Sequence, residues 1–201
     1  VAAALFGVEP ATSGTIRLSG RDVRIESPRG AIALGVGLVP EDRKRQGLVQ
    51  SESGLRNTSL TILDRLSRLT WIHRAKERDL VQYYFDRLRV RASSVDVAVA
   101  GLSGGNQQKI VLARWLAAES RVLILDEPTR GVDVGAKAEI HALIGELAEQ
   151  GAAILLISSE LPELLSLSDR MLVLRAGRMV GELSRAEGSQ EKLLRLMAGL
   201  A

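Results

Sequence analysis

Cysteine is absent from this 201-residue chain, so neither a disulfide nor a thiolate metal site can form. That suits a reducing cytoplasm. Histidine is almost absent: His73 and His141 are the only two. With so few histidines and no cysteine, a zinc centre is not expected. Neither lies in a motif, and His141, beside a helical apolar stripe, reads as a packing or surface residue. Aromatic residues make up 3% of the chain, which removes the stacking platform that single-stranded nucleic-acid binding uses. The net charge is only +3. The densest basic run, Arg43-Lys44-Arg45, reads as a solvated loop, and no nucleic-acid partner is expected. No apolar run approaches the roughly 18 to 20 residues of a membrane span. The first residue is Val1, as expected of a piece of a longer chain.

What is present is a globular composition, 46% apolar, with no internal repeat or low-complexity linker. Residues 1–6 read as the last turns of a helix closed by Gly7. Strands are expected at 15–18 and 23–25, turned at Ser19-Gly20. Ser27-Pro28 is an N-cap followed by Pro at the first helical position, opening a helix to Leu34. A short buried strand at 35–39 stops at Pro40, and a polar loop follows over 41–57. Helices are expected at 58–69 and 75–90, the second with Leu80, Tyr84 and Leu88 on one stripe beside Val81 and Phe85. From residue 106 onward helices (106–118, 136–150, one near Pro162, 189–200) alternate with strands (121–126, 152–158, 171–174, 179–183). Strand-helix alternation with continuous apolar strands predicts an α/β fold with a parallel sheet covered on both faces.

Two segments carry chemistry. Val122-Leu123-Ile124-Leu125 is a buried strand that ends in Asp126 and Glu127. Parallel strands deliver their C-terminal residues to the ligand crevice. There Asp126 can bind Mg2+ and Glu127 can take a proton from an attacking water, the two needs of phosphoryl transfer. Alone, the pair reads rather as the end of a strand and the cap of a turn before Pro128. Ser103-Gly104-Gly105 offers a hydroxyl and closely approachable backbone at the start of a helix, whose N–H groups and dipole favour a phosphate. Alone, it is also an ordinary Ser N-cap. A phosphate-cradling loop of the form G-x-x-x-x-G-K-[ST] is nowhere in the chain.

Taken together, Leu-Ser-Gly-Gly-Asn-Gln-Gln-Lys at 102–109, one helix, four apolar residues and Asp-Glu-Pro-Thr resemble the ATP-binding subunit of ABC transporters. The likeness covers essentially the whole chain. It implies a P-loop NTPase fold of the ABC-cassette kind, with a mostly parallel core sheet, a small antiparallel β part and an α-helical subdomain. The N-terminal strands and the P-loop are missing from it. Residues 1–201 are then one partial cassette, with 1–40 and 101–201 as core and about 41–100 as Q-loop and helical subdomain. Ser103, Gly104, Gly105 and Gln107 match the signature that contacts nucleotide in trans. Asp126 and Glu127 match the Walker B metal ligand and catalytic base, and Asp133, in Gly131-Val132-Asp133, the D-loop. Glu41 stands at the Q-loop position, where a carboxylate can still reach Mg2+. Ser159 stands at the switch position usually held by His.

Asn106, the run Val39-Pro40-Glu41-Asp42-Arg43-Lys44-Arg45 and the stretch from Asp126 to Lys137 resemble, more narrowly, the second cassette of monosaccharide importers of the ribose, galactose and xylose type. Purine-nucleoside and autoinducer importers carry similar ATPases. The resemblance implies ATP and Mg2+ as cofactors and a first cassette of the same parent chain as partner. It also implies membrane permease subunits and, indirectly, a periplasmic or lipid-anchored sugar-binding protein. The implied location is the cytoplasmic face of the bacterial inner membrane. Glu41 and Ser159 together imply a weakened hydrolytic site, and a catalytically degenerate regulatory cassette is the alternative. A missing P-loop strand is expected to leave a gap in the sheet between 152–158 and 171–174.

Overall fold

The computed structural model describes residues 1–69 and 71–200. They divide into two compact units, Val1 to Leu155 and the residues from Leu156 onward. The first unit opens with α1 (Ala2–Leu5), β1 (Ile16–Leu18), β2 (Arg21–Val23), α2 (Pro28–Ala33) and β3 (Val36–Val39). A π-helical turn (Arg43–Gly47), α3 (Gly54–Ser59), a 3-10 turn (Leu60–Ile62) and α4 (Leu63–Leu66) follow. Then come β4 (Ser67–Arg68), β5 (Trp71–Ile72) and α5 (Arg74–Arg87). A 3-10 turn (Val99–Gly101) leads into α6 (Gly104–Ala117), β6 (Val122–Asp126), α7 (Val134–Glu149) and β7 (Ala153–Ile157), which runs across the boundary between the units. The second unit holds α8 (Leu161–Leu167), β8 (Arg170–Arg175), β9 (Arg178–Ser184) and α9 (Gln190–Ala198).

Local chemistry sets many of these ends. Ser27 is extended and its hydroxyl accepts the Gly30 N–H, while Pro28 opens α2. Ser19 and Gly20 both have positive φ, 49° and 78°, the geometry of a two-residue hairpin turn. That turn pairs Ile16 with Val23, so the second strand lies two residues earlier than expected. In the second unit, Ala176 and Gly177 form the same kind of turn between β8 and β9. That unit has its own core of Met171, Val173 and Leu193, with Leu161, Leu165, Leu183 and Leu196 packed on it.

The sheet that positions the site has the order β3-β6-β7. β3 and β6 run parallel, from Val36 opposite Val122 to Val39 opposite Leu125. Leu123, Ile124 and Leu125 in the central strand are fully buried, whereas the apolar β7 is half-exposed at the sheet edge. β7 and β8 belong to separate sheets. α6 contacts β3, α3, α5 and α7 and is buried on nearly every side. Val111 and Trp115 are buried, and so are Gln107, Gln108, Lys109 and Arg114. Gly37 lets α6 approach β3, since a Cβ there would come within 2.9 Å of the Trp115 ring.

Residues 41–57, expected as a polar loop, are corrected by the structure. They hold the π-helical turn, and α3 starts at Gly54 with Ser53 as its cap. The helix expected over 58–69 breaks into α3, a 3-10 turn and α4, then gives way to the β4–β5 pair. The reading of Arg43-Lys44-Arg45 as solvated holds for the last two alone. Arg43 is 9% exposed. α5 forms as read, with Val81, Phe85 and Leu88 buried. Leu80 and Tyr84 pack on the cluster of Ile62, Leu66 and Ala117.

Candidate functional site

α6 begins where Ser103, in extended conformation, turns the chain into the helix. Its Oγ accepts the Asn106 backbone N–H at 3.4 Å and Asn106 Nδ2 at 3.0 Å. A hydroxyl has two lone pairs and one proton. With both lone pairs receiving, the proton is left to donate outward. Asn106 is itself oriented, because its Oδ1 accepts the Arg91 N–H at 2.8 Å. The unshared amides of the first turn and the positive end of the helix dipole lie beside that hydroxyl.

The two glycines have a reason that the sequence did not show. A Cβ on Gly104 would lie 2.5 Å from Arg43 Nη2 and 2.8 Å from the Gly131 carbonyl oxygen. One on Gly105 would lie 2.5 Å from Ala136 Cβ. Bare backbone therefore lets α6 seat against the loop before α7 and against α7 itself. Gln107 is turned inward. It is 2% exposed, and its Nε2 donates to the Val99 carbonyl at 2.9 Å. It braces the turn before Ser103.

Ser103, Gly105 and Asn106 share a polar cavity of about 130 Å3 with Asp133, Lys109 and Glu139. Asp133 caps α7 by accepting the Ala136 N–H at 2.9 Å. Lys109 is buried, and its Nζ donates to the Arg89 carbonyl at 3.0 Å and to Glu139 Oε2 at 2.5 Å. That hydrogen bond from Lys109, more than the nearby arginines, holds the Glu139 carboxyl below the usual range. Asp133→Ala is expected to lower the chain's stability by about 1 kcal/mol through the lost cap. A urea midpoint equal to wild type would show that the cap contributes nothing.

The acidic pair sits at the end of β6. Burial pushes the Asp126 carboxyl above its ordinary value. Glu127 has φ +48°, left-handed for a side-chain-bearing residue and placed just before Pro128. Such geometry costs about 1–3 kcal/mol and clusters at working sites. The Arg130 N–H closes the turn on the Glu127 carbonyl at 3.1 Å. Glu41 forms an ion pair with the Arg130 side chain. Ser159 lies in the second unit, exposed, just after β7. Ser103, Gly105 and Asp133 are thus gathered on one cavity, and Gly104 is set against Gly131. Three buried polar residues hold these segments: Arg43, which the sequence placed in a solvated run, and Asn57 and Arg114, which it did not single out. Only Arg114, inside an apolar helix run, carried a local signal.

A second cavity, about 320 Å3 and mainly apolar, is lined by Val49, Asn57, Leu60, Leu63, Ile72 and Glu77 among others. None of the motif residues borders it. Among the described residues, no helix is long and apolar enough to cross a membrane, and no group of three His, Cys, Asp or Glu side chains is placed to hold a metal ion.

The ABC transporter family matches residues 1–130. The ribose import ATP-binding protein RbsA of Geobacillus kaustophilus is 50% identical over 196 residues, covering 98% of this chain and 40% of that protein. A putative ribose/galactose/methyl galactoside import ATP-binding protein of Rhizobium etli is 48% identical over 199 residues, covering 99% of this chain and 38% of that protein. The chain thus spans only about two-fifths of the length of these relatives. A nucleotide-free ATP-binding cassette from an ABC transporter superposes with a TM-score of 0.77 at 19% identity, over 98% of this chain and 78% of that one. The cbiO1 protein of Clostridium perfringens, part of the ABC transporter complex cbiONQ, gives 0.74 at 24% identity, over 98% and 76%. These superpositions carry the fold, and the family match carries the membership: the chain belongs to the ABC transporter family, as an ATP-binding domain.

Proposed function

We propose that the chain is the second-cassette portion of a longer ATPase that drives import of a monosaccharide of the ribose or galactose type. The relatives' names supply the cargo, and their greater length supplies room for a first cassette. The single observation behind the nucleotide role is the Ser103 hydroxyl. It is oriented by two donors at the start of a 14-residue helix and shares a cavity with Asp133. In this reading Ser103 and the amides of Gly104 and Gly105 donate to the γ-phosphate of an ATP held by the first cassette. Gln107 keeps their turn in place from inside.

Asp126 and Glu127 serve a nucleotide on a P-loop that this sequence does not contain. Asp126 fits Mg2+, which is bound by one or two carboxylates together with substrate phosphates rather than by an all-protein cage. Bound there, Mg2+ would neutralise charge on the phosphates. Glu41 fits a metal less well, because Arg130 already engages its carboxylate. Glu127 accepts the proton of the attacking water. β7 ends its sheet and is half-exposed, as a strand that pairs with a further one would be. Residues 1–40 and 101–201 form the core in this reading, and 41–100 the Q-loop and helical subdomain. The apolar cavity beside Val49, Leu60 and Ile72 faces the permease at the cytoplasmic side of the membrane, and a sugar-binding protein delivers the cargo to that permease. Ser159 and the engaged Glu41 favour a slow site on this half.

The test is the full-length protein reconstituted with its permease and binding protein. ATP hydrolysis stimulated by ribose, galactose or xylose supports the reading. Stimulation by nucleosides alone would reassign the cargo, and no hydrolysis at all would sink the ATPase reading. For the chain by itself, calorimetry is expected to show no micromolar ATP binding, since Asp126 and Glu127 have no phosphate cradle to work with. Micromolar affinity would overturn that expectation.

A further inference from the structure

Arg43 sits where three segments meet. Its Nη1 donates to the Arg130 carbonyl at 2.7 Å and its Nη2 to the Gly131 carbonyl at 3.1 Å. Those carbonyls belong to the loop between β6 and α7, with Glu127 at one end and Asp133 at the other. The same Nη2 lies against Gly104, where a Cβ would come within 2.5 Å. Arg43 is itself anchored. Asp42 Oδ1 accepts the Lys44 and Arg45 N–H groups at 3.1 and 3.2 Å. A Cβ on Gly47 would touch Pro40, Arg43 and Val111 at 3.3 to 3.4 Å. Glu41, two residues before Arg43, holds the Arg130 side chain. One short segment therefore grips the loop through its main chain and through a side chain.

The choice of residue carries meaning. Burial pushes the Arg43 guanidinium below its ordinary value, and its Nε has no partner. Burying a cation is costly when only part of it is satisfied. A planar fork that spans two neighbouring carbonyls is the one thing a lysine or a neutral donor cannot supply.

We propose that Arg43 is a positioning residue that clamps Arg130 and Gly131, fixing Asp133 and the Ser103–Gly105 turn relative to the segment carrying Glu41. Through that clamp, a displacement at Glu41 draws the loop before α7 with it. The consequence for turnover rests on the proposed ATPase reading, whereas the clamp itself does not.

Two measurements test it. In the full-length protein with its permease, Arg43→Met is expected to lower kcat for ATP about tenfold, the worth of one charge-assisted hydrogen bond. KM should stay within about twofold, because no phosphate cradle is altered. Arg43→Lys should fall between, since an ammonium is a point donor. Lys44→Met, on an exposed neighbouring side chain, should match wild type. In the chain itself, hydrogen exchange at the Arg130 and Val132 amides should speed up in Arg43→Met while α7 amides from Ile140 to Leu147 keep their protection. Unchanged exchange at 130 and 132 would overturn the clamp. Faster exchange throughout α6 and α7 would assign Arg43 to general stability and overturn it equally. Local loosening with wild-type kcat would remove the link to turnover. A wild-type protein without ATPase activity would remove the functional reading and leave the exchange result to judge the clamp.

Discussion

Ser103→Ala in the full-length protein is expected to cut ATP turnover about 100-fold at the first cassette's phosphate loop, as loss of one preorganised donor worth ~3 kcal/mol does. The expected size follows from how that hydroxyl is held. Its lone pairs are taken by the Asn106 backbone and side chain, which leaves its proton as the group to donate to a ligand. The same substitution removes an N-cap worth about 1 kcal/mol, and a melting curve separates that loss from the kinetic one. ATP affinity at the first phosphate loop should fall less than turnover, because that loop is untouched. Gly104→Asp should be more severe. Its carboxylate repels phosphate, and its Cβ would collide with Arg43 Nη2 and the Gly131 carbonyl. It tests the junction with the loop before α7 as much as the phosphate contact, so Ser103→Ala is the cleaner probe. Wild-type uptake and ATPase in both variants would show that this helix start does not meet nucleotide.

The site's main parts could be read where chemistry is local. Ser103 as cap of α6, Ser27 and Pro28 opening α2, and the apolar run ending in Asp126 each depend on neighbours within a few residues. What could not be read depends on side chains reaching distant main chain. Arg43 crosses to Arg130 and Gly131, and no periodicity marks such a bond. Polarity misled at 41–57 because Asn57 is polar yet buried, its amide satisfied by backbone rather than water. The β4–β5 pair has two residues per strand, too short for an alternation to appear. The glycines at 104 and 105 were legible as permissive backbone, but their internal contacts required the fold.

The largest stability effect is expected at the junction of Asn57 and Arg114. Arg114 Nε donates to the Asn57 carbonyl at 2.7 Å and Nη2 to Asn57 Oδ1 at 3.2 Å. Asn57 Oδ1 also accepts the Val49 N–H at 2.9 Å, and its Nδ2 faces the Val49, Glu52 and Ser53 carbonyls at 3.0 to 3.3 Å. One amide thus ties the approach to α3 onto α6, the helix that presents Ser103. Arg114 is 7% exposed, and burial pushes its guanidinium down to about 10, so it remains a cation at neutral pH with little water to fall back on. Asn57→Ala strands polar groups on both sides and should cost about 3 kcal/mol. Arg114→Met keeps an apolar body of similar length and leaves the Asn57 acceptors short of donors, for about 2 kcal/mol. Because the two residues share one network, the double variant should lose less than the sum of the singles, by about 1–2 kcal/mol. Urea denaturation of the chain at neutral pH, followed by circular dichroism with comparable m-values, measures all three. Strict additivity would mean that the two side chains stabilise the fold independently, and the tie between α3 and α6 would then have to lie in their apolar contacts alone.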